Sequence, residues 1–200
     1  MGSEIIIVSG LPRSGTSLMM QMLDNGGVPV ITDHIRAADT DNPKGYYEFE
    51  QAKTIKRDTT WLPAARGKAF KMVSQLLYHL PPGETYRIIF MERDLDEMLL
   101  SQEKMLTRLG RTPAPREDIK RAYSIHLERL HEWLRQQGNM TVLRVTYNHV
   151  VERPREQAHR VWEFLGGRLD IEEMVKAVDP SLYRNRKTAE ESVAGNLAWS

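Results

Sequence analysis

Short apolar runs alternate along the chain with longer stretches in which apolar residues recur every three or four positions. Residues 5–8, Ile-Ile-Ile-Val, are too few for a helix and rich in β-branched side chains, so they predict a buried strand. Helical periodicity follows, with Leu18, Met19, Met22 and Leu23 on one face. Further strands are predicted at 68–73, 87–91 and 140–145, and further helices from residue 95, between about 115 and 137, and at 160–165 and 172–178. This alternation predicts an α/β, three-layer fold with a central, mostly parallel sheet of about four to five strands flanked by helices.

The turn between the first strand and the first helix carries the strongest chemical signal. Residues 10–17, here called the phosphate loop, read Gly-Leu-Pro-Arg-Ser-Gly-Thr-Ser. A strand, a glycine turn and a helix in this order point several backbone N–H groups and a helix N-terminus at one place, where they bind an anion. Arg13 adds a positive charge, and Ser14, Thr16 and Ser17 add hydroxyl donors. The segment therefore predicts a phosphate cradle in a P-loop-like fold.

Composition and charge indicate the kind of protein and the partners that it is not expected to bind. The 200 residues are 40% hydrophobic and 28% charged, as in an ordinary globular protein, so residues 1–200 are expected to form a single domain with a flexible tail after about residue 187. The net charge of +1 gives no reason to expect a nucleic-acid or membrane surface. The absence of cysteine and of any signal-peptide or membrane-spanning pattern favours a cytoplasmic location.

Two features also suit a nucleoside-triphosphate site. The glycines at 10 and 15 have the spacing of the motif G-x-x-x-x-G-K-S/T, and Glu92 ends an apolar strand like the acid that holds magnesium in nucleotide hydrolases. Thr16, however, stands at the lysine position, so the loop lacks the charge that reaches the β- and γ-phosphates. A P-loop nucleotide kinase or NTPase is therefore an alternative prediction, and a non-catalytic module that binds a phosphorylated nucleotide is another.

The Pro-Arg-Ser-Gly-Thr-Ser sequence of the phosphate loop resembles the 5′-phosphosulfate loop of sulfotransferases that use 3′-phosphoadenosine 5′-phosphosulfate (PAPS), and it is nearly that of the tyrosylprotein sulfotransferases. The resemblance implies that Arg13 contacts the phosphate and the sulfuryl group, and that Ser14, Gly15, Thr16 and Ser17 surround the 5′-phosphate. It also implies PAPS as the donor, adenosine 3′,5′-bisphosphate (PAP) as the product, and no metal ion.

A second resemblance follows the third predicted strand. Arg93 and Ser101 have the spacing of the two residues that grip the 3′-phosphate of the nucleotide in this family. A guanidinium suits that role because it forks onto two phosphate oxygens and keeps its charge. The alternative interpretation of Arg93 is a surface ion pair with Asp96 or Glu97.

Three other segments are similar to the family in part. Residues 42–48, Asn-Pro-Lys-Gly-Tyr-Tyr-Glu, resemble a segment of many bacterial sulfotransferase-like proteins, although a β-turn before a helix explains them equally well. In the turn after the fourth strand, Asn148 and His149 replace the usual acidic pair. Arg184 and Arg186 lie where the family often places a basic loop over the 3′-phosphate, although a solvated charged end has the same composition.

Sulfuryl transfer to a hydroxyl needs stabilisation of charge and a base. Lys71 matches a lysine that cytosolic sulfotransferases carry after the second strand, whereas Val73 stands where their histidine would be. The tyrosylprotein branch uses a glutamate about twenty residues after the loop, and that interval falls here on Asp33 and His34. His34 is the preferred base because histidine titrates near neutral pH, with Asp33 and Glu48 as rivals. The resemblance thus predicts a PAPS-dependent sulfotransferase acting on a hydroxyl or amine acceptor.

Overall fold

The structure is a computed structural model that describes residues 3–33 and 45–182. Several sequence predictions lie outside the described residues, namely those for His34, residues 42–44, Arg184, Arg186 and the tail after residue 187.

Four parallel strands form the central sheet in the order β2-β1-β3-β4. Their bounds are Ile5–Gly10 for β1, Ala69–Val73 for β2, Tyr86–Glu92 for β3 and Met140–Thr146 for β4. Every residue of β1 is buried, as expected of a strand covered on both faces. The predicted α/β fold, with a parallel sheet between layers of helices, is confirmed.

Helices connect the strands and cover the sheet. They are α1 (Thr16–Asn25), α2 (Glu50–Lys53), α3 (Leu95–Arg108), α4 (Arg116–Arg135), α5 (Tyr147–Glu152), α6 (Pro154–Phe164) and α7 (Ile171–Lys176). Short 3₁₀ turns lie at Leu62–Ala65, Ser74–His79 and Pro180–Leu182. α6 begins well before the predicted residue 160, because Pro154 suits the first turn of a helix, where its missing N–H is not needed. Within the described ranges, no helix is both long and apolar enough to cross a membrane.

The alternating side chains of β1 supply both halves of the core. Ile6 and Val8 pack in one apolar cluster with residues of α1, α5, α6 and α7. Ile5 and Ile7 pack in a second cluster with residues of α2 and α4. The sheet therefore lies between two helical layers, with an apolar cluster on each face.

The C-terminal ends of three strands meet at one edge of the sheet. Gly10, at the end of β1, pairs with Val73 of β2 on one side and with Met91 of β3 on the other. The phosphate loop therefore leaves the sheet between two neighbouring strand ends, where ligands of open parallel sheets commonly bind. Lys71 in β2 and Arg93 after β3 are brought beside it.

Candidate active site

Close packing around the phosphate loop requires glycine at two positions. Gly15, the N-cap of α1, has φ 95°, and a Cβ there would lie 2.4 Å from Cδ2 of Tyr147. A Cβ at Gly10 would lie 2.6 Å from the carbonyl oxygen of Met91. Arg13 also has a left-handed backbone, with φ 69°, which is uncommon for a residue other than glycine. Unusual backbone of this kind is typical of loops whose amides face a ligand.

The interior of the phosphate loop holds a buried hydroxyl. Ser14 is 1% exposed, and among the described residues its Oγ has no hydrogen-bond partner. A buried hydroxyl without a partner costs about 1–3 kcal/mol. Ser14 does not line the cavity beside the loop, whereas Arg13, Thr16 and Ser17 do, and these three supply the donors that fit an anionic ligand.

Arg13 links the phosphate loop to α3. Its Nε donates to Oγ of Ser101 at 3.1 Å, and Ser101 is buried. These two residues come from the two segments that the sequence assigned to different phosphates of one nucleotide. The fold brings those segments into direct contact.

Arg93 lies in a buried cluster beside the phosphate loop. Its side chain is 8% exposed and its Nε donates to Oε2 of Glu97, itself 5% exposed, at 3.2 Å. The guanidinium carbon lies 4.4 Å from the ring centroid of Tyr147, and Nη1 donates to the carbonyl oxygen of Arg13 at 3.5 Å. The ion pair with Glu97 considered from the sequence is thus present, but it is buried instead of lying at the surface. Arg93 lines the same cavity as the loop, and its contact with a 3′-phosphate stays a prediction.

Lys71 joins the sheet to the segment that precedes α2. Its Nζ donates to Oγ of Ser17 at 3.3 Å and to the carbonyl oxygen of Tyr46. Oγ of Ser17 donates to the same carbonyl at 3.0 Å. Two predicted site residues therefore meet at one backbone oxygen at the edge of the phosphate loop.

The candidate bases occupy different places. Glu48 lines the cavity, with its side chain 21% exposed and its Oε2 3.6 Å from Nζ of Lys53. Asp33 instead accepts a hydrogen bond at Oδ2 from the backbone N–H of Glu50, 2.6 Å away at the start of α2, and it does not line the cavity. The described structure therefore brings Glu48 to the site and leaves Asp33 outside it, while His34 is outside the described residues.

One cavity of about 1140 Å³ joins these groups. Its lining includes the phosphate loop apart from Ser14, together with Arg93, Ser101, Lys71 and Glu48. The apolar and aromatic side chains of the lining include Tyr46, Phe49, Ala52, Met72, Val73 and Leu76. The volume is large enough for a nucleotide together with part of an acceptor.

Two other chemical groups lie away from this cavity. Glu92, the acid of the alternative magnesium site, accepts from Nε of Arg144 at 2.7 Å and does not line the cavity. Nε2 of His126 lies 2.9 Å from Oγ of Ser74, and burial lowers the pKa of this histidine. In the part of the chain that the structure describes, no group of three His, Cys, Asp or Glu side chains could hold a metal ion.

Comparison with known proteins identifies the family. The sulfotransferase domain family matches residues 3–197. This chain belongs to that family. No curated protein matches the sequence.

Solved structures of sulfotransferases share the fold at low sequence identity. The sulfotransferase domain from the curacin biosynthetic pathway is 14% identical, with a TM-score of 0.54 over 98% of both chains. The sulfotransferase from Alicyclobacillus acidocaldarius is 13% identical, with a TM-score of 0.50 over 99% of this chain and 92% of that one. A mouse sulfotransferase solved in complex with PAP is 14% identical, with a TM-score of 0.54 over 95% of this chain and 69% of that one. At these identities the structures establish the fold.

The sequence did not single out Tyr147 as part of the candidate site, and it indicated Glu97 only as a surface ion-pair partner of Arg93. Tyr147 packs between Gly15 and the guanidinium of Arg93, and Glu97 holds that guanidinium from the other end. The four-residue spacing between Arg93, just before the N-cap of α3, and Glu97, in its first turn, was a usable signal for their pairing. Tyr147 stands in the turn after the fourth strand that resembles the family, but its contacts could not be read from the sequence, because they depend on β4 lying next to β3.

Proposed function

We propose that this sulfotransferase moves a sulfuryl group from PAPS to a hydroxyl or amine acceptor. The observation that carries the proposal is the 3.1 Å contact between Nε of Arg13 in the phosphate loop and Oγ of Ser101 in α3. It supports a single cavity with separate groups for a 5′-phosphate and a 3′-phosphate. PAPS and PAP carry both phosphates, whereas AMP and ATP lack the one at the 3′ position.

The residues that would hold the donor come from two elements. The backbone and hydroxyls of the phosphate loop would bind the 5′-phosphate, with Thr16 and Ser17 in the lining of the cavity. Arg93 and Ser101 would bind the 3′-phosphate, and Arg184 and Arg186 are proposed to add positive charge there. When bound, PAPS supplies an activated sulfuryl group whose bond to the phosphate oxygen is the one that breaks.

The side chains of the protein would supply charge stabilisation and a proton acceptor. Arg13 and Lys71 place positive charge at the phosphate loop, where negative charge develops on the leaving oxygen. Glu48 would take the proton of the acceptor hydroxyl as its oxygen bonds to sulfur. Glu48 is favoured over Asp33 because Asp33 caps α2 away from the cavity. His34 stays a candidate on the titration range of histidine.

Nucleotide titration tests the donor and separates the alternatives. In isothermal titration, PAP is expected to bind at least about tenfold more tightly than AMP, since one charged hydrogen bond contributes about 1.5–3 kcal/mol. ATP with magnesium binding as tightly as PAP would favour a nucleotide kinase or NTPase. PAP binding without transfer of label from PAPS to any acceptor in a broad screen would favour a non-catalytic module.

Three substitutions identify the base. Glu48→Gln is expected to lower turnover by about 10²–10⁴ while PAP affinity is kept. Asp33→Asn is the matched control, because it also removes one carboxylate charge, but outside the cavity, and turnover should be kept. If His34→Ala abolishes turnover and Glu48→Gln does not, the base is the histidine, and the acidic limb of the pH–rate profile should lie near the ~6.5 pKa of an ordinary histidine.

A further inference from the structure

The segment that carries Glu48 has an unusual backbone. Gly45 has φ 91° and Tyr47 has φ 51°, so two residues close to Glu48 are left-handed. A left-handed conformation is disfavoured for a bulky aromatic residue and persists only where surrounding contacts determine it. The contacts of Tyr47 therefore need an explanation.

The residues on either side of Tyr47 and Glu48 are anchored to different elements. The carbonyl oxygen of Tyr46 accepts from Ser17 and Lys71, as described above. The ring of Phe49 packs edge-on against Trp61 and Phe70, with centroid distances of 5.2 and 6.1 Å. The ends of the segment are thus held by the phosphate loop on one side and an aromatic cluster on the other.

Two further contacts hold the middle of the segment. The carbonyl oxygen of Glu48 accepts from Oγ1 of Thr32 at 3.0 Å and from the backbone N–H of Asp33 at 3.1 Å, and Tyr47 makes the other contact. The Tyr47 hydroxyl donates to Oδ2 of Asp24 at 2.8 Å, and its ring packs against the apolar cluster that includes α1. Asp24 lies in the last turn of α1, where a negative charge is unfavourable for the helix dipole. Asp24 therefore gains nothing from the dipole of its own helix, and its carboxylate instead accepts the hydrogen bond from Tyr47.

We propose that the hydrogen bond between Tyr47 and Asp24 positions Glu48, by holding the left-handed turn that directs the Glu48 carboxylate into the cavity. The inference rests on the proposed role of Glu48 as the base. Tyr47 and Asp24 are positioning residues in this scheme, since neither is among the residues that line the cavity. Burial, together with the hydrogen bond to Asp24, raises the pKa of Tyr47 to about 12, the direction expected of a hydroxyl that donates to a carboxylate.

Four variants of the full chain test this proposal in an assay of sulfuryl transfer from labelled PAPS. Tyr47→Phe and Asp24→Ala are each expected to lower kcat about five- to tenfold, the loss of one hydrogen bond, with the KM for PAPS and the affinity for PAP unchanged. Asp24→Asn should restore kcat, because an amide oxygen still accepts from the tyrosine hydroxyl. The matched control is Tyr123→Phe, which removes a hydroxyl 3.5 Å from Oε1 of Gln102 and should leave kcat unchanged.

The possible outcomes separate this proposal from the one on which it rests. If Glu48→Gln is inactive but Tyr47→Phe and Asp24→Ala turn over normally, the base stands and its positioning by Tyr47 is overturned. If Glu48→Gln is fully active, the base and the positioning are overturned together. Loss of PAP affinity in parallel with kcat, or an Asp24→Asn variant as slow as Asp24→Ala, would also overturn the positioning role.

Discussion

The Arg93–Glu97 ion pair allows a prediction in which stability and nucleotide affinity separate. The pair is buried, with the two side chains 8% and 5% exposed and Nε 3.2 Å from Oε2. Arg93→Ala leaves the Glu97 carboxylate buried without this partner, and breaking a buried pair from one side costs about 3–5 kcal/mol. With a typical urea m-value of about 2 kcal/mol/M, the unfolding midpoint should fall by about 1.5–2.5 M. Such a loss is a large part of an ordinary folding free energy of about 5–15 kcal/mol.

Removal of both partners should reverse the loss of stability. In Arg93→Ala/Glu97→Ala both charges of the buried pair are removed together, so most of the unfolding free energy should return. PAP affinity should not return, because a guanidinium at the 3′-phosphate contributes about 1.5–3 kcal/mol and is missing from both variants. Affinity for AMP, which has no 3′-phosphate, should hardly change in the double variant.

Urea denaturation followed by tryptophan fluorescence gives the stability, and isothermal titration with PAP and AMP gives the affinities. Arg144→Ala is the control: its pair with Glu92, at 2.7 Å, has the arginine side chain 60% exposed, and a surface pair contributes at most about 1 kcal/mol. A double variant as unstable as Arg93→Ala would refute the buried-pair explanation. A double variant that regains PAP affinity, or one that loses PAP and AMP affinity equally, would refute the role of Arg93 at the 3′-phosphate.

Three further predictions concern the loop, α3 and pH. Gly15→Ala should cost about 1–3 kcal/mol of unfolding free energy and abolish PAP binding, because the added methyl meets an aromatic ring carbon at 2.4 Å. The control is Gly27→Ala, at φ 90° with nothing within 4 Å of its Cβ, which should cost only about 1 kcal/mol and keep PAP binding. Equal effects of the two substitutions would contradict the steric reason. Ser101→Ala should weaken PAP binding by about 0.5–1.5 kcal/mol in isothermal titration, since Arg13 loses its partner on α3, and unchanged affinity would place Ser101 outside the nucleotide site. Burial lowers the pKa of His126, so the folded state binds a proton less readily than the unfolded state, and the unfolding free energy should fall as pH drops below ~6.5. His126→Gln should flatten this part of the curve of unfolding free energy against pH. Parallel curves for the two proteins would contradict the role of His126.

Local patterns in the sequence were enough to predict the fold and the position of the phosphate loop. The β-branched run at 5–8, the glycine turn after it and the helical spacing of the next apolar residues are properties of adjacent residues, and the structure places β1, the phosphate loop and α1 there. The cap at Asp94, whose side chain accepts from the backbone N–H groups of Asp96 and Glu97, is equally local. Each of these features depends on chain geometry within a few residues, and therefore it is visible without the fold.

The contacts that complete the site join residues far apart in the chain, and only the tertiary structure decided them. Arg13 meets Ser101 because β1 and β3 are neighbours in register, with Gly10 opposite Met91. The choice between Asp33 and Glu48 was open in the sequence, since both are carboxylates after the loop. In the fold Asp33 accepts from the first backbone N–H of α2, whereas Glu48, which follows the left-handed Tyr47, lines the cavity. No pattern of neighbouring residues encodes such a choice, because it depends on which backbone N–H groups and which cavity the completed fold brings to each carboxylate.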